Sequence, residues 1–133
     1  VIFRECTEGF YSDRNMFMGK AEFMPTEDMA IAVRKVTARQ CERITRVAFD
    51  WARKRRKKVT AVHKANVFHI SDGLFLREVR KVAKEYPDVE LDEKIVDAIR
   101  KKLGKSISAS EVITHVGPRP LLQLSTLIPA HMR

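Results

Sequence analysis

The run Val59-Thr60-Ala61-Val62 carries no charge and sits between two stretches of helical periodicity. It is too short for a stable helix, and its apolar residues do not alternate with charged ones. A short uncharged run rich in β-branched residues reads as a strand buried on both faces. Helices before and after such a strand imply crossovers, and hence an α/β fold with a partly parallel sheet.

The helix before it is the clearest element. Thr37-Ala38-Arg39-Gln40 fits a capping box, in which a hydroxyl and an amide satisfy orphan backbone donors. Cys41, Ile44, Val47, Ala48 and Trp51 then recur at helical spacing and predict an apolar face over a helix from Ala38 to about Lys54. Arg39, Glu42, Arg43, Arg46 and Asp50 fill the other face. After the buried strand, Ser71-Asp72-Gly73 predicts a second helix start. Leu74, Phe75, Val79, Val82 and Ala83 form its apolar face, and Tyr86-Pro87 stops it. Val89 and Leu91 predict a short strand. Glu93 to Leu103 reads as a third helix, with Ile95, Val96, Ile99 and Leu103 on one side and Gly104 as its cap.

The N-terminal third is less regular. Val1 to Arg4 is a short apolar strand, Thr7-Glu8-Gly9 a turn, and Asp13 to Pro25 an irregular arm or hairpin. Met29 to Val36 predicts a strand. The last section contains Pro118, Pro120 and Pro129; within it, Glu111-Val112-Ile113-Thr114 is the strand candidate. The chain opens inside a strand-like run without an initiator Met, which suggests a piece of a longer chain. Its 133 residues match one domain or part of one.

Composition narrows the function classes. Hydrophobic residues at 44% and charged residues at 32% argue against a disordered or collagen-like chain. No apolar stretch approaches the ~20 residues of a membrane helix, and the N-terminus is no signal peptide. Cys6 and Cys41 read as reduced thiols in a reducing compartment, with a bridge between them as the alternative. This places the protein in the cytoplasm, with the mitochondrial matrix as the alternative. The net charge of +9 raises nucleic acid or anionic metabolites as partners. Arg53 to Lys58 are six consecutive basic residues. Without interleaved aromatics, such a run reads first as a solvated helix end that complements the helix dipole. Phosphate-loop, dinucleotide-fingerprint, zinc-protease and Cys-x-x-Cys patterns are absent from the sequence.

Four residues gain meaning from the words around them. Arg4-Glu5-Cys6-Thr7-Glu8-Gly9-Phe10-Tyr11 resembles the Arg-Glu-Asn-Thr-Glu-Gly-x-Tyr motif of the isocitrate and isopropylmalate dehydrogenases. Cys41-Glu42-Arg43-Ile44 is similar to that family's helix motif. The segment Val59 to Asn66, with His63-Lys64-Ala65-Asn66, resembles its Lys-Ala-Asn strand end. Ser71-Asp72-Gly73-Leu74-Phe75, Tyr86-Pro87-Asp88-Val89 and Ile95-Val96-Asp97-Ala98 follow in the family's order and at compatible spacing. The likeness covers about residues 1 to 100.

The resemblance implies a partial isopropylmalate dehydrogenase-like fold and oxidative decarboxylation of a small 2-hydroxy acid, with hydride passing to NAD or NADP and Mg or Mn assisting. Arg4 would grip a substrate carboxylate through the bidentate geometry that guanidinium suits. Lys64 would help remove the hydroxyl proton, and Tyr11 would return a proton to the enol. Asp97 would be a metal carboxylate, and Asn66 would contact the nicotinamide or orient Lys64. The family shares each active site between two subunits. A homodimer is therefore implied, with Lys64 and Asp97 serving the partner's site. The arm from Asp13 to Pro25 falls where the family's intersubunit arm begins. Thr7-Glu8-Gly9 is closer to the isocitrate, homoisocitrate and tartrate versions than to the common isopropylmalate version.

The C-terminal section departs from the pattern. The family follows its Val-Asp-Ala helix with a strand and two further metal carboxylates. Here no Asp or Glu occurs from Val112 to Arg133, and Leu121 and Ser125 stand about where those carboxylates belong. The family's first nucleotide-domain strands and its adenine-binding loop find no counterpart. The chain therefore divides into residues 1–105, the central part of a family domain, and residues 106–133, a divergent tail. The leading reading is a fragment or truncated member of the family. A non-catalytic partner subunit of a full-length relative is the alternative, and a basic nucleic-acid-binding module is a more distant one.

Overall fold

The computed structural model describes residues 1–12, 16–101 and 111–115. Four strands form one sheet: β1 (Ile2–Arg4), β4 (Lys58–His63), β5 (Glu90–Ile95) and β6 (Glu111–Thr114). Their order is β1-β6-β4-β5, and every neighbouring pair is parallel. The α/β reading holds. Antiparallel pairing of strands is confined to a separate hairpin of β2 (Glu22–Thr26) and β3 (Met29–Ala32) among the described residues.

The central strand β4 behaves as its sequence demands. Val59, Thr60, Ala61 and Val62 are all fully buried. Helix α1 (Ala38–Lys54) and helix α2 (Ser71–Ala83) pack on each other and on β4, and α1 also packs on β6. Phe49 and Ala52 of α1, Phe75 and Val79 of α2, Val59 of β4 and Ile113 of β6 belong to one core.

The face of α1 differs from the sequence reading. Cys41, Ile44, Thr45, Ala48, Phe49 and Ala52 are buried, whereas Val47 and Trp51 are about half exposed. The stripe turns toward Phe49 because α2 and the sheet lie on that side, and Phe49 packs on Tyr86 with ring centroids 5.2 Å apart. Trp51 instead leans on Phe3 at the sheet edge, 6.4 Å between centroids.

The cap of α1 forms in part as expected. Thr37 Oγ1 accepts from Gln40 N at 3.4 Å, but the Thr37 N–H donates to Glu8 Oε1 at 3.0 Å rather than to the Gln40 side chain. A residue from the loop after β1 thus completes the helix start and ties the two together.

Three other boundaries differ. The pattern predicts a third helix from Glu93, but β5 continues through Glu93-Lys94-Ile95 because each residue pairs with β4, ending at His63↔Ile95. Helix α3 (Val96–Lys101) begins only there. Leu103 and Gly104 lie outside the described residues. The strand expected from Met29 to Val36 stops at Ala32, and Lys35 then bridges to Gly9. The arm contains β2, whose register with β3 shifts between Phe23 and Thr26. Pro25 lies in that interval, and proline lacks the N–H a regular ladder needs. Asp13, at the start of the arm, and the segment from Gly117 to Ser125 lie outside the described residues.

Three of the six residues in the basic run form ion pairs. Arg53 meets Asp88 at 2.8 Å, Arg55 meets buried Glu111 at 3.1 Å, and Lys58 meets Glu90 at 3.8 Å. Cys6 is exposed and Cys41 buried, and both are free. Among the described residues no helix is long and apolar enough to cross a membrane.

Candidate active site

Parallel strands bring all their C-terminal ends to one edge, where α/β sheets place their ligands. The register sets Arg4 beside Thr114, Thr114 beside Val62, and His63 beside Ile95. Arg4, Lys64, Asp97 and His115 therefore all emerge at the same edge.

Lys64 and Asp97 meet there. The Lys64 ammonium forms an ion pair with the Asp97 carboxylate, joining the end of β4 to the first turn of α3. The Lys64 side chain is about one quarter exposed and that of Asp97 about half exposed. The backbone of Lys64 is fixed from below, as its N–H donates to Asp72 Oδ2 at 2.6 Å. The turn that follows is closed by Val67 N and Phe68 N, both donating to the Lys64 carbonyl. Asn66 sits exposed in this turn.

Asp72 is fully buried and ion-paired with Arg34 Nη2 at 2.6 Å. The same guanidinium donates to the His115 carbonyl at 3.0 Å and to Ser71 Oγ at 2.7 Å. One buried pair thus locks the ends of β4 and β6 to the start of α2. The sequence marks Asp72 only as part of a helix start and does not single out Arg34, because an isolated Arg in a strand-like run gives no sign of its partner.

Arg4 and Tyr11 form a second group. The Arg4 guanidinium carbon lies 5.8 Å from the Tyr11 ring centre. Arg4 Nε is buried and carries no hydrogen bond, an uncommon state for so strong a donor. Both residues border a cavity of about 10 Å³, room for a single water, together with Glu8, Arg34 and His115. His115 Nε2 lies 2.8 Å from Glu8 Oε1, and both side chains are about 1% exposed. Cys41 lies close to both. Burial, followed by the negative charge of Glu8, pushes its thiol up to about 12. Next to Lys64, burial holds the His63 imidazole below its ordinary value.

The two groups stay apart. Strand β6 separates β1 from β4, so Arg4 and the end of β4 are two strand spacings, or about 10 Å, apart. The metal expectation fits these side chains poorly. Among the described residues, the cluster of three potential ligand side chains is Glu8, Cys41 and His115, and it does not include Asp97. The Asp97 carboxylate is engaged with Lys64. The described residues alone do not assemble the all-oxygen shell that magnesium requires.

The family model for isocitrate/isopropylmalate dehydrogenase matches residues 1–115, the span that holds every described residue. The chain belongs to the isocitrate/isopropylmalate dehydrogenase family. Among members of the family, it is 43% identical over 104 residues to a 3-isopropylmalate/3-methylmalate dehydrogenase of Methanocaldococcus jannaschii, covering 74% of this chain and 29% of that one. A regulatory subunit of mitochondrial NAD isocitrate dehydrogenase from Dictyostelium discoideum is 38% identical over 114 residues, covering 85% of this chain and 30% of its own. The crystal structure of isocitrate dehydrogenase from Methylococcus capsulatus superposes with a TM-score of 0.77 at 39% identity, over 96% of this chain and 38% of that one. The chain thus spans about 30% of the length of these curated family relatives.

Proposed function

We propose that the protein is a component of an NAD- or NADP-linked enzyme that oxidises and decarboxylates small 2-hydroxy acids, working in active sites shared between two chains. The observation that carries this reading is the division of the edge into two groups, Arg4 with Tyr11 and Lys64 with Asp97, held apart by β6. Two half-sites on one chain suit two sites made between chains.

In this reading Arg4 receives a substrate carboxylate. Its buried, unpaired Nε is a donor waiting for an acceptor, and a planar guanidinium grips a carboxylate through two parallel bonds. Tyr11, against the Arg4 guanidinium, is placed to hold or deliver a proton at its hydroxyl. Lys64, its backbone pinned by Asp72, helps remove the hydroxyl proton of the partner's substrate. Asn66 follows in the adjoining turn as a nicotinamide contact. Asp97 offers one carboxylate toward magnesium or manganese, and no acid from Val112 onward adds a second.

The β2–β3 hairpin supports a paired assembly. Phe17, Met18, Phe23, Met24 and Met29 are exposed along it or beside it, a cluster of apolar side chains that marks a contact surface. A homodimer is the simplest such pairing. The non-catalytic partner reading has its own support, since the relatives include regulatory subunits of NAD isocitrate dehydrogenase from Dictyostelium discoideum and Arabidopsis thaliana. The ion pairs along Arg53 to Lys58 weigh against a nucleic-acid module.

The test is NADH or NADPH formation from isocitrate, isopropylmalate, homoisocitrate and tartrate with Mg, for the chain alone and mixed with a full-length relative. Turnover confined to mixtures, at levels above the relative alone, is expected. Turnover by the chain alone overturns the expectation that it needs a full-length partner, and mixtures no faster than the relative alone overturn the proposed function.

A further inference from the structure

Glu8, Cys41 and His115 are buried, and each comes from a different element: the loop after β1, the first turn of α1 and the residue following β6. Their ligand atoms all lie within 4.8 Å of one another. We propose that this trio is a binding site for a zinc-type divalent ion, made of other side chains than Asp97.

Three observations carry the assignment. The donor set is a carboxylate, a thiol sulfur and an imidazole, the N, O and S mixture that zinc accepts and magnesium does not. Bond lengths near 2.0–2.3 Å place tetrahedral ligands about 3.3–3.8 Å apart, so closing from 4.8 Å needs only small side-chain shifts. Second, His115 Nδ1 is buried without a hydrogen bond, while Nε2 faces Glu8 at 2.8 Å. An ion shared with Glu8 would take Nε2, the nitrogen that already converges on the carboxylate, in place of the proton between them. Third, the charges close. A divalent cation with the Glu8 carboxylate and a Cys41 thiolate sums to zero, which a buried site tolerates. The nearby Arg34 cation is already neutralised by Asp72 at 2.6 Å.

Glu8 is preset for the task. Thr37 N and Thr37 Oγ1 hold its two oxygens at 3.0 and 2.9 Å, fixing the carboxylate without exhausting its lone pairs. Burial and Glu8 keep the Cys41 thiol protonated in the metal-free chain, so binding an ion would displace that proton. The cavity of about 10 Å³ that Glu8 and His115 border has room for one water as a fourth ligand. A bound ion would staple the β1 loop, α1 and β6 together beside Arg4.

Cobalt(II) titration of the chelator-treated chain tests the proposal, because a cysteine ligand gives a thiolate-to-metal charge-transfer band. One equivalent is expected to bind with that band and to raise the melting temperature, with zinc displacing it. Cys6→Ser is expected to leave the band unchanged, and Cys41→Ser to abolish it. Glu8→Gln, which keeps a hydrogen-bonding oxygen, is expected to weaken binding at least tenfold. A chain that is folded by circular dichroism yet shows no band overturns the proposal, as does a band that survives Cys41→Ser or disappears with Cys6→Ser.

Discussion

Arg34 Nη2 and Asp72 Oδ1 lie 2.6 Å apart in a site where the Asp72 carboxylate has no solvent exposure. The other oxygen of Asp72 holds the backbone N–H of Lys64 at 2.6 Å, so this pair sets where the lysine leaves the sheet. Removing one member of a buried ion pair strands the other charge, at a cost of about 3–5 kcal/mol. Arg34→Ala and Asp72→Asn are each expected to destabilise the chain by that order in urea unfolding. A double-mutant cycle is expected to show strong coupling.

Cys41 gives a pH dependence with a definite sign. Its thiol ionises near 9 when unfolded but is pushed up to about 12 in the fold, by burial first and by Glu8 second. Its stabilising effect is therefore complete below pH 9 and is lost as the pH climbs toward 12, because only the unfolded chain releases the proton. Each pH unit in that window removes about 1.4 kcal/mol. The stability difference between the metal-free wild type and Cys41→Ala is expected to narrow as pH rises from 9 to 10.5 and to stay flat from pH 7 to 8.5, measured by urea unfolding.

Lys57 joins α1 to β4 in the left-handed region, with φ +55°. Its N–H donates to the Ala52 carbonyl at 2.8 Å and closes the helix end. A side chain in that conformation costs about 1 kcal/mol that glycine avoids. Lys57→Gly is expected to stabilise the chain by up to about 1 kcal/mol, where glycine elsewhere in the helix would destabilise it. Differential melting of Lys57→Gly against Lys54→Gly checks this contrast.

The parts of the fold legible in the sequence are those set by local pattern. Thr37 caps α1 and the uncharged run at Val59 is the buried central strand, because caps and hydrophobic runs act over a few residues; Ser71 is the first residue of α2, though no side chain caps that helix. What long-range packing decides is not legible. The face of α1 turns from Val47 and Trp51 to Phe49 and Ala52 because α2 lies there. Glu93 and Ile95 alternate as well in a helix as in a strand, and only pairing with β4 places them in β5. Within the candidate site, Arg4, Tyr11, Lys64 and Asp97 stand out through the family's motifs. Glu8 enters only as a turn residue of the first motif, and Arg34 and His115 fall outside the motifs; the partners of Arg34, Glu8 and His115 lie 38, 29 and 107 residues away.

In the proposed function the edge of the sheet holds parts of two active sites, and complementation tests this most directly. A full-length relative is inactivated by replacing the lysine aligned with Lys64 by alanine, then co-expressed with this chain, and NAD(P) reduction is followed with its own 2-hydroxy acid. Turnover is expected to return with the wild-type chain and to be lost when the chain carries Lys64→Ala. Co-purification of the two chains without any recovery, or equal recovery with Lys64→Ala, would contradict the account.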